Sequence, residues 1–523
     1  MPIRRSISIL LLLAALVATA SAQSRWAYFG PDGKLVYARS PQGDRIADFS
    51  FAGYQGGGVR LPDVPTRRTV APSGGDDTAA IQKAIDEVSA LPLKDGFRGA
   101  VELAPGLFHC AQTLNITASG VVLRGAGMSA GTGADGSTIQ MTGDPHLAIH
   151  VAGLLDLKYT GPQTVAADAY IPSGVRTLRV ADAHLLHVGD TVVIRKPVTK
   201  SWVHYMRMDA MRRDNKDENW VNTDHLDVRR HILAIQENVL LLDAPLMDNY
   251  DAKFFEGQQP PVIRVEVSGQ IAHAGVEKLR IVAPKRSIPL GGPEFDGVFM
   301  EDAVDSWVRE VAAEETTNGI HIDKGTERVT VLQCDVQQHV PVTTPGKPFE
   351  YSTNGSQILF DRCTGSGNNT FYFATQARQQ GPVVVLHCSF HGDGHIQPHQ
   401  RWSPGILIDS CSVPGGGIDL RNRGEMGSGH GWTTGWSVAW NNTAATLEMN
   451  EPPGVANWSI GNRGSQSNPP MPLFGEDKHS NLDGIQLSGA ITESSGKPVK
   501  PESLYLEQLT ERLGTQAVKN LGY

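Results

Sequence analysis

Residues 383–421, VVVLHCSFHGDGHIQPHQRWSPGILIDSCSVPGGGIDLR, contain two copies of one short pattern. Each copy opens with an apolar segment that ends in cysteine, VVVLHC at 383–388 and ILIDSC at 406–411. Two earlier copies are VTVLQC at 329–334 and ILFDRC at 358–363. The four cysteines are separated by 29, 25 and 23 residues. An irregular repeat of roughly this length predicts a parallel coil in which short strands stack on their neighbours.

A second short strand follows each apolar segment. Ile418-Asp419-Leu420-Arg421 alternates apolar and polar residues, as does Ile320-His321-Ile322-Asp323. Alternate side chains of a strand point to opposite faces, so the polar residues are expected to point outward. Pro398 breaks this alternation before His399. Stacked coils would then align one row of outward side chains, namely His321, Asp323, Tyr372, Gln397, His399, Asp419, Arg421 and Glu448.

The stretch from His395 to Trp458 also concentrates aromatic and charged residues. It holds five of the nine tryptophans, in a chain that is only 19% charged. Aromatic rings offer flat apolar faces to sugars, whereas Arg and His bind acid groups. This composition predicts a site for a saccharide. The predicted substrate-binding residues are Arg401, Arg423, Trp402, Trp432, Tyr372, His321 and Glu425.

Overall composition limits the other classes of partner. The chain has 523 residues, is 40% hydrophobic and carries a formal charge of −9 without a basic run, which argues against nucleic acid. A polysaccharide or oligosaccharide is the expected partner, and a monomer is the expected state. No metal site is predicted. The sequence requires no cofactor, although calcium remains open.

The first 22 residues have the pattern of a signal peptide. Arg4 and Arg5 precede the apolar run from Ile7 to Val17, and Ala20-Ser21-Ala22 fits a cleavage site. No later stretch reaches 18 apolar residues, so no integral membrane span is expected. The predicted location is secreted or periplasmic.

The rest of the chain divides into four predicted segments. Residues 23–154 contain the N-terminal segment, a capping helix over 73–90 and the first coils. Residues 155–265 interrupt the pattern and predict an inserted small β module. Residues 266–464 form the main coil with the site face. Residues 465–523 form a tail with a capping helix over 501–513, where leucines recur at helical spacing.

The cysteines bear on the redox state of the protein. Exported proteins usually pair their cysteines, but five is an odd number. Adjacent coils lie about 4.8 Å apart, so distance alone permits pairing of neighbours. One cysteine per coil is also the pattern of core filling. Reduced thiols are the prediction.

Two stretches resemble a known family. GGDDTAAIQKAID at 74–86 with GAVELAPGLFHCAQTLNITASGVVLRGAG at 99–127 resembles the opening of a pectate-lyase-superfamily protein. PHQRWSPGILIDSCSVPGGGIDLRNRGEMGSGHGWTTGWSVAWN at 398–441 is similar to a group of exported bacterial and fungal members associated with polysaccharide breakdown. The resemblance implies an all-β right-handed parallel β-helix with a capping helix. It also implies a carbohydrate setting.

Two chemistries fit these residues. In a lyase that cleaves a uronic-acid polymer by β-elimination, Arg421, Arg423 and Arg401 would hold the carboxylate, and His399 or His430 would move the proton. In a glycoside hydrolase, Asp419 would act with Asp393, Glu425 or Asp323. A glycan-binding β-helix without catalysis is the third reading. The predicted catalytic residues are His399, His430, Arg421 and Asp419.

Overall fold

The computed structural model describes residues 22–129, 135–159, 163–209, 211–213, 216–217, 220–286, 292–340, 346–472 and 487–523. The predicted signal peptide lies outside these ranges except for Ala22, which belongs to the first strand. In this described part of the chain, no helix is long and apolar enough to cross a membrane.

The N-terminal segment begins with a short strand that pairs with a strand near the C-terminus, and it continues into the first coils. Helix α1 places Ile81, Ile85 and Val88 on the core and so covers the first coil. It begins at Thr78, where Asp76 accepts the backbone N–H of Thr78. The elements are β1 (Ala22–Gln23), β2 (Ala27–Phe29), β3 (Leu35–Tyr37), β4 (Thr66–Val70), α1 (Thr78–Ser89), β5 (Gly99–Leu103), β6 (Gly106–Cys110), β7 (Leu114–Ile116), β8 (Val121–Arg124), β9 (Ser137–Met141) and β10 (Leu147–Ala152).

An antiparallel module follows, within the segment predicted as an insertion. Its main sheet runs in the order β11, β21, β15, β18, β19, β14 and has its own core. The elements are β11 (Asp156–Lys158), β12 (Gln163–Val165), β13 (Tyr170–Ile171), β14 (Thr177–Arg179), β15 (Thr191–Pro197), α2 (Lys200–Tyr205), β16 (Arg212–Arg213), β17 (Lys216–Asp217), β18 (His225–Gln236), β19 (Val239–Leu242), β20 (Tyr250–Asp251) and β21 (Pro261–Ser268).

The main coil is a right-handed parallel β-helix, as predicted. Each strand pairs in parallel with its equivalent in the next coil. Its strands are β22 (Ile271–Ala272), β23 (Gly275–Val282), β24 (Asp296–Glu301), β25 (Ala303–Glu314), β26 (Asn318–Ile322), β27 (Glu327–Leu332), β28 (Asp335–Gln337), β29 (Phe349–Thr353), β30 (Ile358–Asp361), β31 (Thr364–Ser366), β32 (Phe371–Thr375), β33 (Val383–Leu386), β34 (Ser389–His391), β35 (His395–Ile396), β36 (Ile406–Asp409) and β37 (Ser412–Leu420).

The C-terminal part completes the coil and then returns along it. Helix α4 packs Leu504, Tyr505 and Leu509 against the outer face of the sheet that contains β36 and β38. The helix was predicted over 501–513. The elements are α3 (Met426–Gly429), β38 (Val438–Trp440), β39 (Thr443–Met449), β40 (Trp458–Ile460), β41 (Arg463–Ser467), β42 (Ile491–Glu493), β43 (Val499–Lys500), α4 (Leu504–Leu513) and α5 (Thr515–Asn520).

The two ends of the described chain meet. Ala22 and Gln23 in β1 pair in parallel with Val499 and Lys500 in β43. The Ser24 hydroxyl donates to the Glu493 carboxylate at 2.8 Å, so this contact joins residues far apart in sequence.

Four of the five cysteines, at 334, 363, 388 and 411, lie in register inside the coil, and all five are buried free thiols, as predicted. Each thiol of this register donates to a main-chain carbonyl of the preceding coil, at 3.3–3.7 Å, from Cys334, Cys363, Cys388 and Cys411. The column continues with asparagine, because Asn442 Oδ1 accepts the backbone N–H of Cys411 at 2.7 Å. Counting five residues on from Trp436, as from the first residue of each apolar segment to its cysteine, predicts Asn441 in this register, one residue too early.

Candidate functional site

The site is built on the sheet that contains β26, β29, β32, β35, β37 and β39. Its outward side chains form rows along the coil axis, since His321 pairs with Ser352 and Asp419 pairs with Glu448. Ile418 and Leu420 point into the core, whereas Asp419 and Arg421 point out, as the alternation predicts. We call the group His395, Gln397, Asp419, Arg421 and Glu448 the polar wall.

The centre of the polar wall is a histidine–carboxylate pair. His395 Nδ1 lies 2.7 Å from Asp419 Oδ2, and the Gln397 carboxamide donates to the same oxygen. Asp419 is only 2% exposed, while the His395 side chain is 32% exposed. The buried carboxylate therefore fixes the ring and leaves its Nε2 edge as the other polar position. A Cβ at Gly417 would lie 2.5 Å from His395 Nδ1, so only glycine lets the ring sit here.

Three cations border this pair. Arg421 forms an ion pair with Glu448, and Arg423 donates from Nη1 to the His399 carbonyl at 2.8 Å. Burial, reinforced by the neighbouring Arg421, lowers the pKa of Arg423 to about 9. Burial and the charge of Arg423 also lower the pKa of Lys347. This crowding of positive charge is the condition under which an acid group of a ligand is bound most favourably.

The second acid of the polar wall is Glu448, the strand neighbour of Asp419. Burial raises the pKa of Glu448, and the neighbouring Asp419 raises it further against the opposing effect of Arg421. The wall thus combines a carboxylate with raised pKa, a histidine–carboxylate pair and surplus cations.

An aromatic strip continues the wall toward the N-terminal coils. Phe349 and Phe371 stack with ring centroids 5.2 Å apart, and the His399 ring lies 5.4 and 5.5 Å from them. The Arg423 guanidinium sits 5.4 Å over the Phe371 ring. Burial, with the nearby Arg423 and Arg401, lowers the pKa of His399 to about 3. His399 is therefore neutral near pH 7 and serves here as an aromatic surface.

The strip ends at an open pocket of about 220 Å³. His321 stacks on Phe299 at 4.9 Å on one side of it, and its Nε2 lies 3.2 Å from Asp323 Oδ1. Although burial acts to raise the pKa of Asp323, the hydrogen bond and charge of His321 lower it overall. The lining residues are Asp296, Val298, Phe299, Asn318, His321, Phe349 and Gln376.

The structure brings the predicted catalytic residues together but exposes them unequally. Asp419 and Arg421 belong to the polar wall, and the His399 and His430 rings lie 4.6 Å apart. His430, however, is only 5% exposed. With His399 neutral and His430 enclosed, neither imidazole has the setting predicted for a proton carrier.

The predicted binding residues also separate into two groups. Arg423 lies beside the wall, and His321 lies in its row, four coils or about 19 Å from Asp419 at the usual strand spacing. Arg401 instead donates to the Ser428 carbonyl and hydroxyl at 2.7 and 2.9 Å, which ties the 426–430 loop to the coil. Glu425 is fully buried.

The tryptophan prediction is wrong in its physical basis, because both predicted rings are buried. Trp402 donates from Nε1 to Asp248 Oδ2 at 2.7 Å and packs at 5.7 Å against Trp202 of the inserted module. Trp432 donates to the Met206 carbonyl at 2.9 Å. Both rings anchor the module on the coil, so neither presents an open face to a sugar.

Tyr372 also differs from its predicted outward position. Phe371 pairs with His395 and Phe373 pairs with Ile396, so β32 has one residue more than β35 at this point. Tyr372 is that extra residue of a β-bulge, and it turns inward to stack on Phe390 at 4.9 Å. Its hydroxyl donates to the Gly367 carbonyl at 3.0 Å, and burial raises its pKa to about 12.

The carboxylates predicted for hydrolysis do not form an exposed pair. Asp419 and Glu425 are buried, and Asp323 is engaged by His321. Asp393 is exposed and accepts the backbone N–H of Asn369 at 2.6 Å. Asp419 with its strand neighbour Glu448 is the closer equivalent of a carboxylate pair.

Three site residues were missed from the sequence: His395, Lys347 and Phe349. The signal for His395 was available, since residues 395, 397 and 399 alternate and therefore share one face of an extended segment. Lys347 and Phe349 carried no such signal, because they reach the wall only through the pairing of β29 with β32.

A possible metal-ligand group lies elsewhere on the coil. Among the residues that the structure describes, only Glu314, Glu315 and His339 bring three such ligand atoms within 4.8 Å of one another. The Glu315 carboxylate accepts the backbone N–H groups of His339 and Val340, at 3.1–3.2 Å. These hydrogen bonds explain the carboxylate without an ion.

No family model and no curated protein matches the chain. Solved structures match at low identity. The tailspike protein gp49 from Pseudomonas phage LKA1 is 14% identical, with 75% of this chain and 70% of that chain covered and a TM-score of 0.41. A tailspike protein mutant of E. coli bacteriophage HK620 in complex with pentasaccharide is 9% identical, with 90% and 70% covered and a TM-score of 0.40.

A third match is the Streptococcus pneumoniae surface protein and adhesin PfbA, which is 10% identical, with 77% and 86% covered and a TM-score of 0.36. None of these likenesses transfers a site residue to this chain.

Proposed function

We propose that the protein is a carbohydrate-active enzyme that cleaves a uronic-acid-containing polysaccharide by β-elimination. The supporting observation is the His395–Asp419 pair beside Arg421, Arg423 and Lys347. β-Elimination needs a base near one carbon and cations on the adjacent carboxylate, which are the groups that this wall supplies.

Each step of the reaction has a candidate group. Arg423 and Lys347 bind the uronate carboxylate and withdraw charge from the neighbouring carbon. His395 takes the proton from that carbon, and the bonding electrons form the new double bond as the glycosidic oxygen leaves. The imidazolium then returns its proton to that oxygen. Asp419 orients the ring and stabilises its positive charge, which is a positioning role.

His395 is a better base than the two histidines chosen from the sequence. Its ring is partly exposed and held by a buried carboxylate. His399 has a pKa of about 3, far from the operating range of a base at neutral pH. Phe349 and His399 are partly exposed and offer an apolar surface to sugar rings on one side of the cleaved bond, while the buried Phe371 supports both rings.

Glycoside hydrolysis is the second candidate, and Glu448 is the observation that favours it. Its raised pKa keeps more of the acid form than an ordinary glutamate, and Asp419 is its strand neighbour. A protonated Glu448 would donate to the leaving oxygen while Asp419 carries negative charge. Asp419 is already engaged by His395 and Gln397, which suits the positioning role of the lyase better than a free carboxylate of a hydrolase.

We further propose that the protein is exported and belongs to the pectate-lyase superfamily group that its 398–441 stretch resembles. The supporting feature is the signal-peptide pattern of residues 1–22. N-terminal sequencing of protein recovered from the periplasm or medium tests the export proposal. A mature chain that begins at Gln23 is the expected result, and retention of residues 1–22 would count against it.

The reaction is tested with purified protein and a panel of uronic-acid and neutral polysaccharides. Ultraviolet absorbance of unsaturated products indicates elimination, and reducing ends without that absorbance indicate hydrolysis. Retention on a polysaccharide gel without either product indicates glycan binding alone. His395→Ala is expected to lower kcat by about 10²- to 10⁴-fold.

His391→Ala is the matched control, because His391 is an exposed histidine on β34, outside the polar wall. Elimination at the wild-type rate in His395→Ala protein would remove the proposed base. Equal losses in both variants would point to a general effect on the fold.

A further inference from the structure

A groove separates the inserted module from the coil, at the turns that follow β26, β29 and β32. Its volume is about 250 Å³. The groove borders the edge of the site sheet at which its strands end. Asn354, which lines the groove, comes two residues after Ser352, and Ser352 pairs with His321 in that sheet. Measured along the coil axis, Asn354 lies three coils, or about 14 Å, from the coil that contains Asp419.

The module side of the groove carries an apolar strip beside the paired charges of Asp227 and Arg229. Leu155, Leu157 and Tyr159 occupy alternate positions around β11, so they present one face to the groove. Tyr159 is 47% exposed. An interior crevice would bury such a ring, whereas a binding face leaves it open.

The coil side of the groove is polar. Asn354, Ser356 and Gln380 line it with amide and hydroxyl groups. Ser356 donates to the Gly381 carbonyl at 3.3 Å, and Gln380 donates to the Arg378 carbonyl at 3.3 Å. Most of their acceptor capacity remains available for a ligand, and the Asn354 carboxamide makes no hydrogen bond with any residue of the described ranges.

Two ion pairs account for most of the charged side chains at the groove, and one positively charged side chain remains outside them. Arg195 forms a forked pair with Asp227, at 2.8 Å for both bonds, and Arg229 pairs with Glu327 at 2.8 Å. Arg378 is exposed and donates to the Asn222 carbonyl at 3.3 Å, without an ion pair to a described carboxylate. The groove therefore favours a ligand that carries negative charge.

We propose that this groove binds a short segment of an acidic saccharide, as a site separate from the polar wall. An apolar face opposite a row of hydroxyl and amide groups is complementary to a sugar ring, which has C–H faces and hydroxyl edges. Arg378 receives the carboxylate of a uronic acid. The volume suits one or two sugar rings. The inference goes beyond the proposed elimination, since binding here needs no turnover.

The test measures binding by isothermal titration calorimetry, in a His395→Ala background so that the ligand is not consumed. The probes are trimers of galacturonate, mannuronate and glucose. The expected result is saturable binding of at least one acidic trimer, with weaker binding of the glucose trimer. The Tyr159→Ala/Arg378→Ala double variant should bind one acidic trimer fewer per chain, and each single variant should weaken that site about tenfold.

Leu233→Ala is the control, since Leu233 is an exposed apolar residue on β18 of the same module and lies outside the groove lining. Its binding should equal that of the background protein. Unchanged stoichiometry in the double variant, or no saturable binding of any trimer by the background protein, would overturn the inference. Thermal melting of each variant checks that the fold is intact.

The two proposals fail in distinguishable ways. If the polar wall has no lyase or hydrolase activity, the wild-type protein gives no product, yet the double variant still loses a bound trimer. If the groove proposal fails, turnover persists and the stoichiometry does not change.

Discussion

The polar wall and the tryptophan cluster come from the same stretch of sequence but have opposite environments. The wall places His395 and Arg421 at the surface, on strands that alternate in and out. The cluster buries Trp402 with Trp202 and Trp220, over a Lys196–Asp248 ion pair whose side chains are 3% exposed. The exposed face of the coil is set by local alternation, whereas the cluster is covered by a module from elsewhere in the chain.

This difference shows that residue type alone does not identify a sugar site. Aromatic side chains are common both at saccharide sites and at packed interfaces. Here the partly exposed rings of the candidate site are Phe349 and His399, and the tryptophans hold the module on the coil. Variants that damage one region and spare the other can separate the two roles.

The largest expected effect comes from Asp248→Ala in the cluster. The change leaves the Lys196 ammonium buried without its carboxylate, and burial already lowers the pKa of Lys196. We expect the free energy of unfolding to fall by about 3–5 kcal/mol, measured by urea denaturation. The double variant Lys196→Met/Asp248→Leu should lose much less, because it leaves no buried charge. Equal losses in the two would contradict this explanation.

The next effect concerns the polar wall. Asp419→Asn keeps the shape of the side chain but removes the charge that stabilises a protonated His395. We expect kcat on the cleaved polysaccharide to fall about 100-fold, with little change in thermal stability. Asp393→Asn is the control, since Asp393 is exposed and lies outside the pair. A wild-type kcat in Asp419→Asn would exclude the positioning role.

A smaller effect is expected from Trp402→Phe. The change removes the Nε1–H donated to Asp248 and leaves a small cavity under the module. We expect a loss of about 1–3 kcal/mol in the free energy of unfolding, with kcat unchanged. The result that would restore a substrate-contact role is a lower kcat without a loss of stability.

A last effect, negligible at pH 4 and growing as the pH rises, is a pH dependence of stability that arises from Glu350. This side chain is 1% exposed, neither of its carboxylate oxygens has a hydrogen-bond partner among the residues that the structure describes, and burial raises its pKa well above the usual value. The folded state therefore holds its proton more tightly than the unfolded chain. The stability contributed by the protonated acid is complete below the unfolded pKa, about 4.3, and is lost as pH rises toward the folded pKa.

Glu350→Gln removes this titration. Relative to wild type, the variant should gain about 1.4 kcal/mol of stability for each pH unit above the unfolded pKa, until the folded pKa is reached. Urea denaturation at pH 4, 6 and 8 provides the measurement. A difference between the two proteins that stays constant across these pH values would show that Glu350 does not titrate on unfolding.

The sequence was sufficient for the coil and for part of the wall. The cysteine register of 363, 388 and 411 follows from periodic spacing, and the outward positions of Asp419 and Arg421 follow from strict alternation. Both are local regularities repeated in every coil. The register failed by one residue at Asn442, where the strand begins at Val438 and Trp436 adopts a φ of 55°.

The remaining site residues depended on contacts that no local pattern encodes. Tyr372 turned inward because of a bulge between β32 and β35, which is a mismatch between two strands. The burial of Trp402 required the docking of residues about 200 positions earlier in the chain. The His395–Asp419 pair depends on Gly417, whose missing Cβ leaves space for the ring. Each of these is a property of two segments together.

The parallel pairing of β1 with β43 has a consequence for the order of assembly. During synthesis, Gln23 and Ser24 emerge long before their partners Lys500 and Glu493. The first strand therefore stays unpaired until nearly the whole chain has been synthesised. This pairing, and the later docking of α4 on the same N-terminal segment through Gln508 and the Ala47 carbonyl, can form only when nearly the whole chain has been made, so a product truncated before Val499 would lack both.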